Sequence, residues 1–159
     1  MLQPVDSMSP FSKSGIIPFK SLIVNGDMES TGSWVTWGSP NNFGRVSNEK
    51  FRGDYSWRFD GVGFSDGMRN YTFTETILAN QNYRLSAWVK TSLPYIGMAF
   101  RYAPGLWIFD EFFYVTSGQW SKIQKDSFSS TTMTSPQVLL YNYDQVGTFY
   151  VDDVSLIKI

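Results

Sequence analysis

Short runs of alternating apolar and polar residues, each closed by a cluster of Gly, Pro, Asn or Asp, recur from Leu22 to the end of the chain. The closing clusters include Asn25-Gly26, Gly38-Ser39-Pro40-Asn41-Asn42, Gly61-Val62-Gly63, Asn80-Gln81-Asn82, Ser92-Leu93-Pro94, Ala103-Pro104-Gly105, Ser117-Gly118 and Asp144-Gln145-Val146-Gly147. Strands at this spacing predict an all-β sandwich. No window holds a 3.6-residue period over a helical length, and no internal repeat or heptad is present. Successive strand side chains point to opposite sides, so Tyr83, Leu85, Ala87 and Val89 share one face and Arg84, Ser86, Trp88 and Lys90 the other. The first set is predicted to face the core. In the last run, the same alternation places Asp152, Val154 and Leu156 opposite Val151, Asp153, Ser155 and Ile157, which gives the adjacent acids different roles.

Residues 1–20 carry Pro4, Pro10 and Pro18 among Ser7, Ser9, Ser12 and Ser14, the chemistry of an extended arm or linker. Residues 21–159 are then one domain, and 42% hydrophobic with 18% aromatic residues supply a packed core. With 13 basic and 14 acidic residues the net charge is -1, so no broad field draws in nucleic acid or an anionic membrane. Membrane insertion is not expected either, because no apolar stretch approaches spanning length. The absence of Cys and His removes disulfides, thiolate and imidazole metal sites, and serine-triad or cysteine nucleophile chemistry. Met1 to Ser21 lacks the apolar run of a signal-peptide core, so the chain reads as complete, soluble and not exported by that route.

Two acid-bearing runs, Leu22-Ile23-Val24-Asn25-Gly26-Asp27-Met28-Glu29 and Phe149-Tyr150-Val151-Asp152-Asp153-Val154-Ser155-Leu156, bracket the domain. Between them stand the turn Gly53-Asp54-Tyr55-Ser56 and the strand Tyr83-Arg84-Leu85-Ser86-Ala87-Trp88-Val89-Lys90. In this order and with these gaps, the four segments resemble the jelly-roll carbohydrate-binding modules that accompany xylanases and other glycoside hydrolases. The resemblance covers residues 22–159. It implies a jelly-roll β-sandwich of two antiparallel sheets, with the first and last strands side by side, behind an extended N-terminal arm.

The resemblance also implies a structural calcium ion. Carried over position by position, its ligands are the carboxylates of Glu29, Glu49 and Asp152 and the backbone carbonyls of Asp27 and Arg52, an oxygen set suited to a hard cation. The residue-level alternative is that Glu29 and Glu49 are solvated loop acids and Asp152 tips a strand.

A sugar ring offers a flat face of C–H groups rimmed by hydroxyls, so an exposed aromatic beside amide, carboxylate or guanidinium groups makes a platform for it. The family places a stacking Trp between the glycine turn and the next strand, and Phe64 is the nearest match here. Further candidates are Arg101, Tyr102 and Trp107 around the Ala103-Pro104-Gly105 turn, and Tyr141 and Tyr143, which alternate along one face with Asn142 opposite. Arg101 and Asn142 are expected to orient the ligand. Among 28 aromatic residues most belong to the core, and Trp34, Trp57 and Trp120 are assigned to packing, whereas Trp37 stays open. The run from Leu106 to Tyr114 is the most apolar, and any exposed part of it reads as a contact surface.

Catalysis is not expected. Two carboxylates in one cleft can hydrolyse a glycoside, but the neighbours Asp110 and Glu111 point to opposite faces of a strand. Asp66 with Glu75 is the other nominal pair. The leading expectation is a non-catalytic module that binds a polysaccharide or glycan through exposed aromatics, displayed on a phage particle. Its rival is a virion decoration or fibre protein that uses the same fold for assembly, with the Pro/Ser arm threading onto other virion proteins.

Overall fold

The computed structural model describes residues 20–102 and 105–159, so the predicted arm lies outside the described residues except for Lys20. Ten strands follow in order: β1 Trp34–Trp37, β2 Asn41–Val46, β3 Ser56–Gly61, β4 Gly67–Asn70, β5 Gln81–Thr91, β6 Tyr95–Tyr102, β7 Leu106–Tyr114, β8 Ser121–Ser129, β9 Pro136–Tyr141 and β10 Gly147–Lys158. They form two five-stranded sheets in the orders β1-β4-β9-β6-β7 and β2-β3-β10-β5-β8, with every pairing antiparallel. This is the predicted jelly-roll β-sandwich.

The core lies between the inner faces. On β5, Tyr83, Leu85, Ala87 and Val89 are buried as their alternation requires, and Arg84, Ser86, Trp88 and Lys90 face outward. Across the sandwich they meet the inner residues of the other sheet, Met68, Ile96, Met98, Phe100, Val138 and Leu140. Phe59 and Phe149, on paired strands, stack with ring centroids 4.9 Å apart. Full burial of each such side chain contributes on the order of 2 kcal/mol. Trp34 and Trp57 belong to this core, and Trp120 is half-buried beside Phe51, in keeping with a packing assignment.

Two expectations about the chain ends need correction. The run from Leu22 to Glu29 is not a strand. Asn25 and Met28 take positive φ, and the segment keeps only a bridge from Ile23 to Phe73. It nevertheless lies beside β10, through Leu22 N–H to Leu156 C=O and Val154 N–H to Gly26 C=O, both 2.7 Å. Asn25 accounts for the irregular path: its side chain bonds Ser30 N–H, Ser30 C=O and Gly32 C=O, winding the backbone into a loop. The second correction concerns β10, where the register slips between Asp152 and Ser155 and Asp153 has φ +46°. The bulge inserts an extra residue, so Val151, Val154 and Leu156 all face the core and strict alternation fails there.

Candidate functional site

The outward face of the β1-β4-β9-β6-β7 sheet carries a second apolar cluster, separate from the core: Ala99, Leu139 and Tyr141, with Trp37 packed against them. The register explains how they meet. Leu139 pairs with Arg69 and with Ala99, which pairs with Asp110, giving one cross-strand row. The next row runs Trp37, Gly67, Tyr141, Gly97 and Phe112. A third joins Gln137, Arg101 and Trp107, the last two beside a bulge in the β6-β7 pair.

Gly97 is required in the middle row. A Cβ there would lie 2.5 Å from the ring of Tyr141, so the absent side chain lets that ring lie down on the sheet. The Tyr141 hydroxyl donates to the Asp110 carboxylate. Burial and that neighbouring negative charge push the Tyr141 phenol above its ordinary pKa, so it stays protonated.

Arg101 sits between two indoles, its guanidinium carbon 4.5 Å from the Trp37 ring centre and 4.8 Å from that of Trp107. Its Nε and Nη2 donate to Gln137 Oε1 at 3.0 and 2.8 Å. Arg69 approaches Trp37 at 5.7 Å and Tyr71 at 5.9 Å. Burial, and then the Arg69 charge, lower the Arg101 pKa from its ordinary value against the opposing pull of Asp110. The guanidinium remains charged at any physiological pH.

Beyond Tyr141 the aromatic surface continues. Phe112 packs against Tyr95, Tyr141 and Tyr143, Tyr95 meets Tyr114, and Phe64 meets Tyr143 edge-on at 4.7 Å. Phe64 is 62% exposed, Tyr114 81% and Trp107 41%. Asp66 holds the Phe64 loop. Its carboxylate accepts from the backbone N–H groups of Ser39, Val62 and Gly63 at 2.6 to 2.9 Å. Burial alone would raise its pKa, but these three donors outweigh it and the carboxyl lies below its ordinary value.

The predicted saccharide residues are therefore brought together in part. Arg101, Trp107, Tyr141, Tyr143 and Phe64 share the outward face or its rim. Tyr102 does not, because the residue after the outward Arg101 turns inward, and it packs against the core. Asn142 is corrected as well. It is fully buried, accepts from Asp66 N–H at 2.5 Å and donates to the carbonyls of Gly63 and Gln145, so it braces the loop instead of orienting a ligand. Sequence reasoning missed Arg69, Tyr95, Phe112 and Tyr114, and left Trp37 open. Their alternation along β1, β4, β6 and β7 carried the signal, but only the register shows that these four strands share a sheet.

A groove of about 620 Å³ lies elsewhere, on the outward face of the other sheet between β10, β5 and β8. Trp88 is the aromatic residue lining it, and Phe51 stacks on that ring at 3.8 Å and 13°. That stacking covers one face of the indole.

The residues expected to hold calcium flank the turn from Phe51 to Tyr55. Asp152 Oδ2 accepts from the N–H groups of Phe51 and Arg52, each at 2.9 Å, and Oδ1 accepts from Asp153 N–H. Burial raises the Asp152 carboxyl above its ordinary pKa, with these three donors opposing. Glu29 Oε1 accepts from Asp54 and Tyr55 N–H, and a Cβ on Gly53, which has φ +67°, would collide with it. Glu49 pairs with Lys90 at 2.7 Å, and Arg52 with Asp153 at 3.2 Å. Among the described residues no three metal-ligating side chains gather. As arranged, Glu29 and Asp152 accept from backbone amides and Glu49 from a lysine, so a hard cation at this site would compete with those donors for the carboxylates.

The nominal acid pairs form no cleft. Glu111 faces away from Asp110 and pairs with Lys125 across the β7-β8 edge at 2.6 Å, and Asp66 is enclosed by its three amides.

A family described as carbohydrate binding domain matches residues 20–144. The chain belongs to that family. Solved structures carry the same fold. The module is similar to a family 16 carbohydrate-binding module (TM-score 0.65, 23% identity), covering 86% of this chain and 99% of that one. It is similar to a xylan-binding domain of family 22 (0.67, 15%), covering 89% and 97%. It also resembles part of an arabinose-bound α-L-arabinofuranosidase (0.71, 12%), covering 88% of this chain and 26% of that one. Among curated proteins none matches the module. At these identities the structures speak for the jelly-roll fold alone.

Proposed function

We propose that the module binds saccharide, without catalysing its cleavage, on the outward face of the β1-β4-β9-β6-β7 sheet. The observation that carries this reading is the run of touching rings from Tyr141 through Phe112 to Tyr143 and Phe64, with Trp107 exposed beside Arg101 on the same face and Ala99 and Leu139 in the floor between. Exposed rings side by side on a rigid sheet offer stacking faces along a chain of sugars, and the Tyr141 hydroxyl, Gln137 and Arg101 supply polar contacts between them. One shallow, solvated platform gives an affinity on the order of micromolar to millimolar.

Calorimetry with a panel of soluble plant, algal and bacterial oligosaccharides tests it. Heat that disappears in Trp107→Ala, while the melting temperature holds, supports the reading; no heat with any member defeats it. The rival role in virion assembly drew mainly on the arm at residues 1–20, nearly all of which falls outside the described residues.

A further inference from the structure

The binding face holds two guanidiniums that no carboxylate among the described residues pairs with directly, although the Asp110 charge acts on Arg101 from a distance. Among the described residues neither Arg69 nor Arg101 forms an ion pair, whereas Arg52, Arg58 and Arg84 on the other sheet or its loops do, and Arg45 on β2 donates to the Glu29 carbonyl. The nearby carboxylates are already in use. Asp110 accepts the Tyr141 hydroxyl, and Asp66 is enclosed by three backbone amides. Arg69 Nε is buried with no hydrogen-bond partner, a cost that a folded chain ordinarily avoids. Arg101 is held at one edge only, by Gln137, which leaves Nη1 free to donate.

Both guanidiniums are braced by the same ring, Trp37, whose indole N–H is tied to Ser65 Oγ at 3.0 Å. An indole with guanidiniums against it has little face left for a sugar. Trp37 acts as a positioning residue against which both guanidinium forks rest, while Phe112, and Trp107 with Arg101 against its ring, remain exposed. A planar carboxylate is the group that such forks recognise best.

We propose that the module selects acidic saccharides, with Arg69 and Arg101 receiving the carboxylate of a uronic acid residue while neighbouring sugars stack on the aromatic surface. This rests on the saccharide-binding reading and adds the ligand's charge to it. A neutral chain leaves Arg69 Nε and Arg101 Nη1 without a charged partner; a uronate carboxylate supplies one. The recognition is electrostatic in part, so it weakens with added salt.

The experiment compares one oligosaccharide with itself. Tetragalacturonate and its carboxyl-reduced, neutral counterpart are titrated into the full chain at low and high salt, with a xylo-oligosaccharide as a second neutral probe. The uronate is expected to bind at least about tenfold tighter than its reduced form, the size of effect one charge-assisted hydrogen bond produces. That margin shrinks as salt rises. Arg69→Gln and Arg101→Gln should bring the two affinities together with melting temperatures close to the parent's. If neutral probes bind as tightly as the uronate and Trp107→Ala still abolishes that binding, the acidic preference is wrong and the saccharide reading stands. If no saccharide of the panel binds, both fall together.

Discussion

On the outward side of the β2-β3-β10-β5-β8 sheet, Arg58 is paired with Asp60, Arg84 with Asp126 and Lys90 with Glu49, whereas across the sandwich Arg69 and Arg101 lean on aromatic rings and pair with no carboxylate among the described residues. The contrast extends to the aromatics. Trp88 on the first face is covered by Phe51, and Trp107, Phe112 and Tyr114 on the second are exposed. A charge answered within the fold contributes a little stability and is closed to ligands; an unanswered charge costs stability and stays available. The two faces are built of similar residues. What separates the arginines of the two faces is whether a carboxylate partner lies inside the protein; Lys122, beside Trp88 on the first face, forms no ion pair among the described residues either.

The largest effect expected from breaking this division falls at Asp152. Its carboxylate is fully buried and receives the N–H groups of Phe51, Arg52 and Asp153, so Asp152→Ala strands three donors at the bulge. A loss of about 3 kcal/mol follows, roughly ten degrees in melting temperature for a domain of this size. The same measurement settles the calcium expectation. On this geometry chelation leaves the melting curve of the parent unchanged. A drop of several degrees on chelation, reversed by calcium, shows instead that an ion binds the folded chain. In that case Glu29, Glu49 and Asp152 turn to the ion in the native protein.

The next effect belongs to the open face. Trp107→Ala removes an exposed ring that touches the core of neither sheet, so it should weaken saccharide binding by ten- to a hundredfold and shift the melting temperature by about a degree at most. A variant that loses several degrees instead shows that Trp107 is a packing residue, and the two faces then differ less than their charges suggest.

A smaller effect comes from Asp66, which belongs structurally to the binding side but is answered from within. Its folded-state carboxyl lies below the ordinary value, so its contribution is present in full above the unfolded-state pKa, near 3.9, and is lost as pH falls through the lower folded-state value. Asp66→Asn keeps one acceptor oxygen and should cost about 1 kcal/mol at neutral pH. The gap between variant and parent should narrow below pH 4. A gap that is constant from neutral to acid pH assigns the loss to packing and removes the charge from the account.

Much of this division was legible in the sequence. The β5 alternation placed Trp88 and Lys90 outside and Leu85 and Val89 inside, because an unbroken strand has only two faces. Phe64 was proposed from family position, Arg101 and Trp107 from the turn beside them, and Tyr141 and Tyr143 from alternation, and all five lie on the outward face or its rim. The failures share a cause: a local break in regular geometry. The bulge at Asp153 reversed the faces after Val151, the extra residue Ile108 on β7 turned Trp107 outward opposite Arg101, and the Asn25 loop replaced a strand. Arg69 escaped notice for a different reason. Its meaning lies in the absence of a partner, and partners are fixed by which strands neighbour β4, a long-range fact that no local pattern contains.

The smallest expected effect is the sharpest control on the comparison. Arg84 and Asp126 form a bidentate pair at 2.7 and 2.8 Å on the answered face, both largely exposed to water. Solvent screens such a pair, and holding two long side chains in register offsets most of the attraction, so Arg84→Ala should leave the melting temperature within a degree of the parent. It should also leave saccharide affinity untouched, even though the lost group is the same guanidinium that matters at Arg69 and Arg101. The variants are to be compared in one titration series at one salt concentration, because a general loss of positive charge would weaken an acidic ligand slightly wherever the arginine stood. Equal losses in Arg84→Ala and Arg101→Ala would mean that the ligand responds to net charge alone. A loss confined to Arg101→Ala would place recognition on the face where the protein leaves its charges unanswered.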